Sequence, residues 1–266
     1  MSRILLFIPA YNCEKQITRV LSQIDEEVLT YISKIIVVNN RSTDNTEKAV
    51  LDFIRVNQSL PVTLLRNNEN YGLGGSHKVA FNYALEHDYS YVIVLHGDDQ
   101  GSIKDLIPIF RTGLSEQHDC CLGARFMKGS TLPGYSGFRT FGNRVFNLLF
   151  SIICGKRIYD LGSGLNLYKT SMLASKYYHK FPDNLTFNVC MVMAIGYYKQ
   201  NALFFPISWR EDDQVSNAKL FSQALKTISM LLDFFFNRKK FMKKELRTIP
   251  HEAYIAKEQD GAHYGD

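Results

Sequence analysis

The densest group of side chains that could do chemistry follows the apolar run Tyr91–Leu95. Carboxylates at Asp98 and Asp99 are hard to explain there by packing, although an acidic turn is the alternative interpretation. A divalent cation that bridges a diphosphate takes oxygen ligands of this kind. His96, Asp98 and Gln100 alternate along the chain, so in an extended segment they would share one face. The pattern therefore predicts a metal site formed by these three side chains.

Three upstream segments also place polar or glycine residues directly after apolar runs. Tyrosine, amide and carboxylate side chains can hold a base or ribose, and glycines let the backbone approach a phosphate. The candidates are Pro9, Ala10, Tyr11, Asn12 and Glu14 in the first segment, Asn39, Asn40 and Ser42 in the second, and Gly72, Leu73 and Gly74 in the third. Taken alone, a loop with a helix cap explains the first segment equally well, a turn with an N-cap explains the second better, and the glycine loop is a weak signal.

The apolar runs before these segments are typical of strands, because they are short, rich in β-branched and aromatic residues and bounded by turn residues. The strand candidates are Ile4–Ile8, Ile35–Val38, Val62–Leu65, Tyr91–Leu95 and Cys120–Leu122. Amphipathic helical segments lie near 14–30, 44–57 and 75–87. This alternation predicts an α/β fold with a mostly parallel sheet covered by helices on both faces. Ligands in such sheets bind beyond the carboxyl ends of the strands.

The sequence changes in character after about residue 130. A helical apolar stripe covers Phe138, Phe141, Val145, Leu148 and Ile152, and a last strand is predicted at Leu203–Ile207. An apolar helix at Leu220–Phe236 precedes a basic run at 238–247 and a polar tail from about His251. These patterns predict a catalytic domain at 1–220 and a C-terminal part at 221–266. Apolar helix faces bordered by Lys and Arg suit a membrane interface, with core packing as the alternative.

Composition narrows the functional class further. The 266 residues are 45% hydrophobic and 21% charged, which is typical of a folded protein and not of a disordered one. The net charge of +5 suits an anionic partner and does not indicate nucleic acid. Five cysteines without a Cys-x-x-Cys pair argue against a disulfide framework or a zinc site. The N-terminal apolar run is too short for a signal peptide, and no run approaches the roughly 20 residues that span a bilayer.

Four motifs occur in order between residues 8 and 100: Ile-Pro-Ala-Tyr-Asn-x-Glu, Val-Val-Asn-Asn-x-Ser-Thr-Asp, Asn-x-Gly-Leu-Gly-Gly-Ser and His-Gly-Asp-Asp-Gln. Together they resemble inverting family 2 glycosyltransferases, and most of all the branch of dolichyl- and polyprenyl-phosphate sugar synthases. The resemblance covers roughly residues 4 to 220. It implies a GT-A fold and a nucleoside-diphosphate sugar as the donor.

The resemblance also assigns roles to individual residues. Pro9, Tyr11 and Glu14 would hold the nucleoside, with Asn39 and Asn40 standing where the family usually has acidic residues. Asp98 would be the second carboxylate of the family's Asp-x-Asp metal motif. His96 replaces the first aspartate, and Gln100 would be a further ligand. The implied cofactor is Mg²⁺ or Mn²⁺, and imidazole tolerates Mn²⁺ better.

Later segments resemble the family's acceptor region. Arg125, Arg139, Ser163, Arg210 and Lys219 would contact the acceptor phosphate. Arginine suits this role because its planar fork donates two hydrogen bonds at once. Asp160, in the Asp-x-x-Ser-Gly element, is the candidate base, or it orients its neighbours. Asp98, Arg125, Asp160 and Arg210 are thus the predicted catalytic residues.

The function implied is sugar transfer to a polyprenyl phosphate or lipid-linked glycan, by a peripheral enzyme on the cytoplasmic, inner face of a membrane. The predicted partners are the sugar nucleotide, the acceptor and an anionic membrane surface, together with a membrane protein or a second copy of the chain. One alternative is a transferase that extends a cell-envelope polysaccharide on a sugar hydroxyl, which needs a true general base. Another is a catalytically weakened protein that binds sugar nucleotides.

Overall fold

The computed structural model of the chain describes residues 2–211 and 220–259, without the side chains of residues 220–223. Its strands are β1 (Ile4–Ala10), β2 (Lys34–Asn39), β3 (Val62–Asn67), β4 (Tyr91–Leu95), β5 (Cys120–Ala124), β6 (Leu165–Lys169), β7 (Ala202–Pro206) and β8 (Ala256–Glu258). Its helices are α1 (Glu14–Leu21), α2 (Glu26–Leu29), α3 (Thr46–Val56), α4 (Gly72–Glu86), α5 (Ile107–Arg111), α6 (Leu114–Gln117), α7 (Gly137–Cys154), α8 (Thr170–Leu173), α9 (Phe187–Tyr197), α10 (Leu220–Phe236) and α11 (Arg238–Lys243). Short 3-10 helices cover Ile103–Leu106 and Tyr177–Lys180.

All of these strands join one sheet, in the order β7-β5-β6-β4-β1-β2-β3-β8. The central strands β4, β1, β2 and β3 are mutually parallel, and so are β5 and β7. Strand β6 runs antiparallel to both of its neighbours, and β8 runs antiparallel to β3. The carboxyl ends of β1, β2 and β4 therefore meet at one edge, where the sequence motifs lie.

Strands β1, β4 and β5 are buried along their whole length, which explains why continuous apolar runs indicate them. All the predicted strands are confirmed to within a few residues. The structure adds β6 and β8, which the apolar pattern does not indicate. The sequence of β6 alternates apolar and polar residues, and β8 has only three residues, none of them strongly apolar.

Two buried clusters cover the two faces of the sheet. One contains Leu5 and Phe7 of β1 with residues of α4, α7 and α9, and the other contains Leu6 and Ile8 with residues of α1 and α3. This follows from the alternation of side chains along a strand. The sheet is therefore covered on both faces, as predicted.

The predicted helical segment at 14–30 is corrected to two helices, α1 and α2, with a break between them. Asp25 caps the second helix by accepting a hydrogen bond from the Val28 amide at 3.1 Å. An aspartate that binds backbone amides in this way starts a new helix rather than continuing the preceding one.

The polar tail expected from about His251 is corrected in part. Tyr254 is buried, and β8 pairs with β3 in register from Leu65–Glu258 to Asn67–Ala256. The residues after α11 thus complete the sheet edge next to β3. The division into parts at residue 220 stays a prediction. Within the two described ranges, no helix combines the length and the apolar character that a membrane crossing requires.

Candidate active site

A cavity of about 330 Å³ opens at the carboxyl ends of β1, β2 and β4. Predicted donor-binding residues that line it are Pro9, Ala10, Tyr11, Asn12, Asn40, Gly72, Leu73 and Asp98. Tyr11 is 51% exposed, so part of it is accessible to a ligand in the cavity. We call this space the donor cavity.

The other predicted donor-binding residues do not line the donor cavity, and they support its walls instead. Asn39 is buried and donates to Glu47 at 2.5 Å, while its oxygen accepts from the Ser42 amide at 2.9 Å. The Ser42 hydroxyl in turn accepts from the Asn12 amide at 3.1 Å. Glu14 accepts from the Asn45 amide at 3.2 Å. Their side chains fix the loops after β1 and β2 rather than facing the cavity.

The glycine segment is held against two neighbouring loops. Asn40 accepts from the Tyr71 amide at 2.9 Å and donates to Asn70 at 2.7 Å, which ties the end of β2 to this segment. The Gly74 amide donates to the carbonyl of Asp183 at 2.8 Å. Gly72 has a φ of +72°, and a Cβ there would lie 2.4 Å from the same carbonyl. Glycine is thus required at position 72 for two independent reasons.

Asp98 and His96 lie together in the donor cavity. His96 Nδ1 is 4.0 Å from Asp98 Oδ2, a spacing that two ligands of one ion can have. Burial raises the pKa of Asp98 to about 6 and lowers the pKa of His96 to about 4. His96 Nε2 is buried and has no hydrogen-bond partner among the described residues. An imidazole that stays neutral and a carboxylate ionised at neutral pH are suitable donors for a cation.

Gln100 does not join His96 and Asp98, so the prediction of one extended face is wrong. The chain turns at Asp99, whose φ is +61°, and this sends the next residues to a neighbouring cavity of about 410 Å³. There the side-chain Nε2 of Gln100 donates to the Arg210 carbonyl at 3.3 Å. Across the residues that the structure describes, no group of three or more His, Cys, Asp or Glu side chains could hold a metal.

Asp99 is buried and pairs with cations instead of facing the donor cavity. Arg19 Nε lies 2.6 Å from its carboxylate, and the Arg210 guanidinium contacts the same oxygen. Arg210 Nε also donates to the Asp99 carbonyl at 2.8 Å. The adjacent aspartates thus have different surroundings, one among cations and one in the donor cavity.

Arg125 and Asp160 form a two-pronged ion pair that does not line the donor cavity. Arg125 Nε and Nη2 lie 2.8 Å from the two carboxylate oxygens, and the Arg125 amide donates to Asp160 at 2.9 Å. The Asp160 side chain is 2% exposed and that of Arg125 is 14% exposed. In this arrangement Asp160 orients Arg125, which was one of the two predicted roles, and it also accepts from the Gly162 amide at 3.1 Å.

The other predicted phosphate-binding residues are Arg139, Ser163 and Lys219, and the two that the structure describes have different surroundings. Arg139 of α7 pairs with Glu211 at 2.7 Å and lies 4.4 Å over the Tyr135 ring. Ser163 is only 1% exposed, and its hydroxyl donates to the Leu165 carbonyl at 3.1 Å. The structure therefore corrects the expected phosphate contact of the Ser163 side chain, which is already bonded inside the protein. Lys219 lies outside the described residues.

The family model described as glycosyl transferase family 2 matches residues 6–183. This chain belongs to that family. The glycosyltransferase is 28% identical to an uncharacterized protein of Methanocaldococcus jannaschii, over 64% of this chain and 72% of the relative. It is 23% identical to the UDP-N-acetylglucosamine–dolichyl-phosphate N-acetylglucosaminyltransferase of Methanococcus voltae, over 64% of this chain and 70% of the relative.

A solved structure extends the comparison to the fold. Glucosyl-3-phosphoglycerate synthase of Mycobacterium tuberculosis, in complex with Mn²⁺, UDP-glucose and phosphoglyceric acid, matches the glycosyltransferase with a TM-score of 0.59. The match covers 88% of this chain and 80% of the other, at 14% identity. The GT-A fold implied by the motifs is thereby confirmed.

Two residues that shape the site of this glycosyltransferase are not indicated by the sequence motifs. Leu185 lines the donor cavity from the segment before α9. Trp209 lies 4.9 Å from the Arg125 guanidinium, on the side toward the neighbouring cavity. Leu185 stands in a polar loop, and no local pattern marks it. Only its 56% exposure, unusual for a leucine, distinguishes it once the fold is known.

Proposed function

We propose that this glycosyltransferase transfers a sugar from a nucleoside-diphosphate sugar to a polyprenyl phosphate or lipid-linked glycan. The observation that carries the proposal is the position of the donor cavity, with Asp98 and His96 inside it, in a protein whose α7 and α10 expose apolar side chains. The sugar nucleotide and the lipid acceptor would meet at one edge of the sheet. The reaction would run by direct attack of the acceptor oxygen on the anomeric carbon, with inversion.

The donor side of the proposal is supported by the chemistry of the cavity. Tyr11 offers a ring to the base, and the loop at Gly72 offers backbone to a phosphate. Asp98 and His96 would hold Mg²⁺ or Mn²⁺, and such an ion would neutralise charge on the leaving diphosphate. The solved relative contains Mn²⁺ and UDP-glucose together, which agrees with this assignment.

The acceptor side is supported by the pairing of Asp160. A sugar hydroxyl acceptor needs a general base, whereas a lipid phosphate is already ionised. Asp160 is 2% exposed and is held by the fork of Arg125, so it is poorly placed to take a proton. This favours the lipid phosphate over a polysaccharide hydroxyl. The Methanococcus voltae relative is named for transfer to dolichyl phosphate.

The proposed setting is the inner face of a membrane, with the protein bound peripherally. Phe138 and Phe141 of α7 are 85% and 69% exposed, and Phe236 of α10 is 79% exposed. Exposed phenylalanines on neighbouring helices suit the interface of a bilayer.

The test uses the purified full-length chain with labelled sugar nucleotides, Mg²⁺ or Mn²⁺, and dolichyl or undecaprenyl phosphate in detergent. We expect labelled product that partitions into organic solvent, and its loss when a chelator is added. Product confined to the aqueous phase with a glycan acceptor would favour the polysaccharide alternative. Absence of both transfer and donor hydrolysis with every sugar nucleotide would favour a binding protein without activity.

A further inference from the structure

A groove with a volume of about 820 Å³ lies along α7 and shares no lining residue with the donor cavity. One stripe of α7 forms its floor, at the helical spacing i, i+3, i+4, i+7 and i+8. This stripe consists of Arg144, Asn147, Leu148, Ser151 and Ile152. Segments 126–128 and 155–159 form the two walls. We call this space the basic groove.

The wall at 155–159 is fastened to α7 by hydrogen bonds. Gly155 ends the helix with a φ of +65°, which turns the chain back along it. Asn147 then donates to the Tyr159 carbonyl at 2.6 Å, and Ser151 accepts from the Ile158 amide at 2.9 Å. Because these polar groups of the stripe bond to the wall, the groove has a defined shape before any ligand binds.

Four cations line the basic groove, and no carboxylate lines it: Lys128, Arg144, Lys156 and Arg157. Within the described parts of the chain, none of the four takes part in a salt bridge. The three arginines that the sequence predicts to bind the acceptor phosphate differ, because Arg125, Arg139 and Arg210 each contact an aspartate or glutamate. Cations grouped without an internal counter-charge attract an external anion.

The rim of the groove indicates what carries that anion. Leu148 and Ile152 are 61% and 69% exposed, and they belong to the same helix face as the exposed Phe141 and Val145. A free phosphate ion would gain nothing from this apolar surface. The phosphate of a membrane lipid lies at the boundary between the polar surface and the acyl chains, where both parts of the groove would be satisfied.

The geometry points to the basic groove as a binding site for the phosphate headgroup of an anionic membrane phospholipid, separate from the donor cavity and from the reacting acceptor. This inference rests on the proposed function only in placing the enzyme at a bilayer. Lys128 and Arg144 contact the phosphate from two sides. The neighbouring Leu148 and Ile152 contact the start of the acyl chains, and α7 is thereby oriented on the membrane.

The test compares binding of the full-length protein to phosphatidylcholine vesicles with and without phosphatidylglycerol. The double variant Lys128→Gln/Arg144→Gln should weaken binding to the anionic vesicles by at least about tenfold, since each basic residue near such a surface contributes about a factor of five. Binding to neutral vesicles should not change. The matched control is Lys34→Gln/Lys257→Gln, which removes the same charge from β2 and β8 in the other half of the sheet.

Equal losses in the two double variants would overturn the inference, because they would show a diffuse attraction without a site. Titration with water-soluble dihexanoyl phosphatidylglycerol and with inorganic phosphate separates the two sources of the anion. Stronger binding of the short-chain lipid than of phosphate, lost in Lys128→Gln/Arg144→Gln, is expected. Equal binding of both would contradict a lipid site. Nucleotide binding in the variants should stay at the wild-type level. Failure of the lipid-site inference is therefore distinguishable from failure of the proposed function, which would abolish nucleotide binding or transfer in the wild type as well.

Discussion

The donor cavity is built from side chains that already bond to one another, whereas α7 and α10 leave apolar side chains in solvent. Around the cavity, Asn40 bonds to the glycine segment and Asn39 bonds to Glu47. On α7, Phe138 is 85% exposed and Arg144 has no salt bridge among the described residues. The difference suggests that the two regions recognise ligands of different kinds.

A small charged donor is bound best by a preorganised polar site, because ordering the loops during binding would lower the affinity. A lipid surface instead needs broad apolar contact bordered by cations. Under the proposed function, the chain would meet these two needs with different elements. If this comparison holds, mutations in one region should affect one substrate and spare the other.

The largest effect is expected from Asp98→Asn. Transfer should fall by about a hundredfold or more, because an ion at a developing charge contributes several kcal/mol. Nucleotide binding should no longer respond to Mn²⁺, while circular dichroism remains unchanged. Steady-state kinetics and calorimetry with added metal measure both effects. The control is Asp88→Asn, an exposed turn residue with a φ of +54° that asparagine also tolerates. Full turnover in Asp98→Asn would contradict the proposal that Asp98 holds a catalytic metal ion.

A smaller effect is expected from Arg125→Lys. The substitution keeps the charge but loses the fork that holds the buried Asp160, so the free energy of unfolding should fall by about 2 kcal/mol. Transfer should fall by more than about tenfold, or 1.4 kcal/mol, with little change in donor affinity. Chemical denaturation and kinetics with varied acceptor test this, with the surface substitution Arg55→Lys as the control. Unchanged acceptor kinetics would favour the hydroxyl-acceptor alternative.

Substitutions on the exposed apolar face of α7 should affect membrane binding and leave nucleotide binding unchanged. We expect Phe138→Ser to weaken vesicle binding by about fivefold, because the variant lacks the apolar area of the ring that would be buried in the bilayer. Nucleotide binding should stay the same, and stability should change by less than about 0.5 kcal/mol. Val56→Ser on α3 is the control, since Val56 is 83% exposed in the opposite half of the sheet. Equal losses in both variants would contradict a specific role of α7.

The smallest effect on transfer at neutral pH is expected from His77→Gln. His77 is a buried residue of α4 next to His96. Burial lowers the pKa of His77 to about 3, so the folded protein keeps it neutral while the unfolded chain takes up a proton below about 6.5. Its contribution to stability is present above pH 6.5 and is lost as the pH falls toward 3. The wild type should therefore lose up to about 1.4 kcal/mol per pH unit more than the variant.

Denaturant unfolding at several pH values between 4 and 7 measures this difference, with exposed His87→Gln as the control. The same slope in wild type and His77→Gln would mean that another group dominates the acid response. His96 is the neighbouring candidate, because the two ring centres are 6.1 Å apart and its pKa is also lowered by burial.

By itself, the sequence determined six of the eight strands of the described sheet and the edge at which the motif residues meet. Short continuous apolar runs that are bounded by turn residues, such as Tyr91–Leu95, indicate buried strands, and residues that follow parallel strands meet at their carboxyl ends. Tyr11, Gly72 and Asp98 could therefore be placed in one cavity without a structure. Local periodicity also predicted α7 and α10, because a helix repeats its apolar positions every 3.6 residues.

Only the tertiary structure decided which partner each polar side chain takes. Asp98 and Asp99 are neighbours in sequence, yet a single left-handed residue sends one to the donor cavity and the other to Arg19 and Arg210. The pairing of Arg125 with Asp160, and that of β8 with β3, join residues far apart along the chain. Such contacts depend on how the helices and strands pack, and local sequence propensity does not predict that packing.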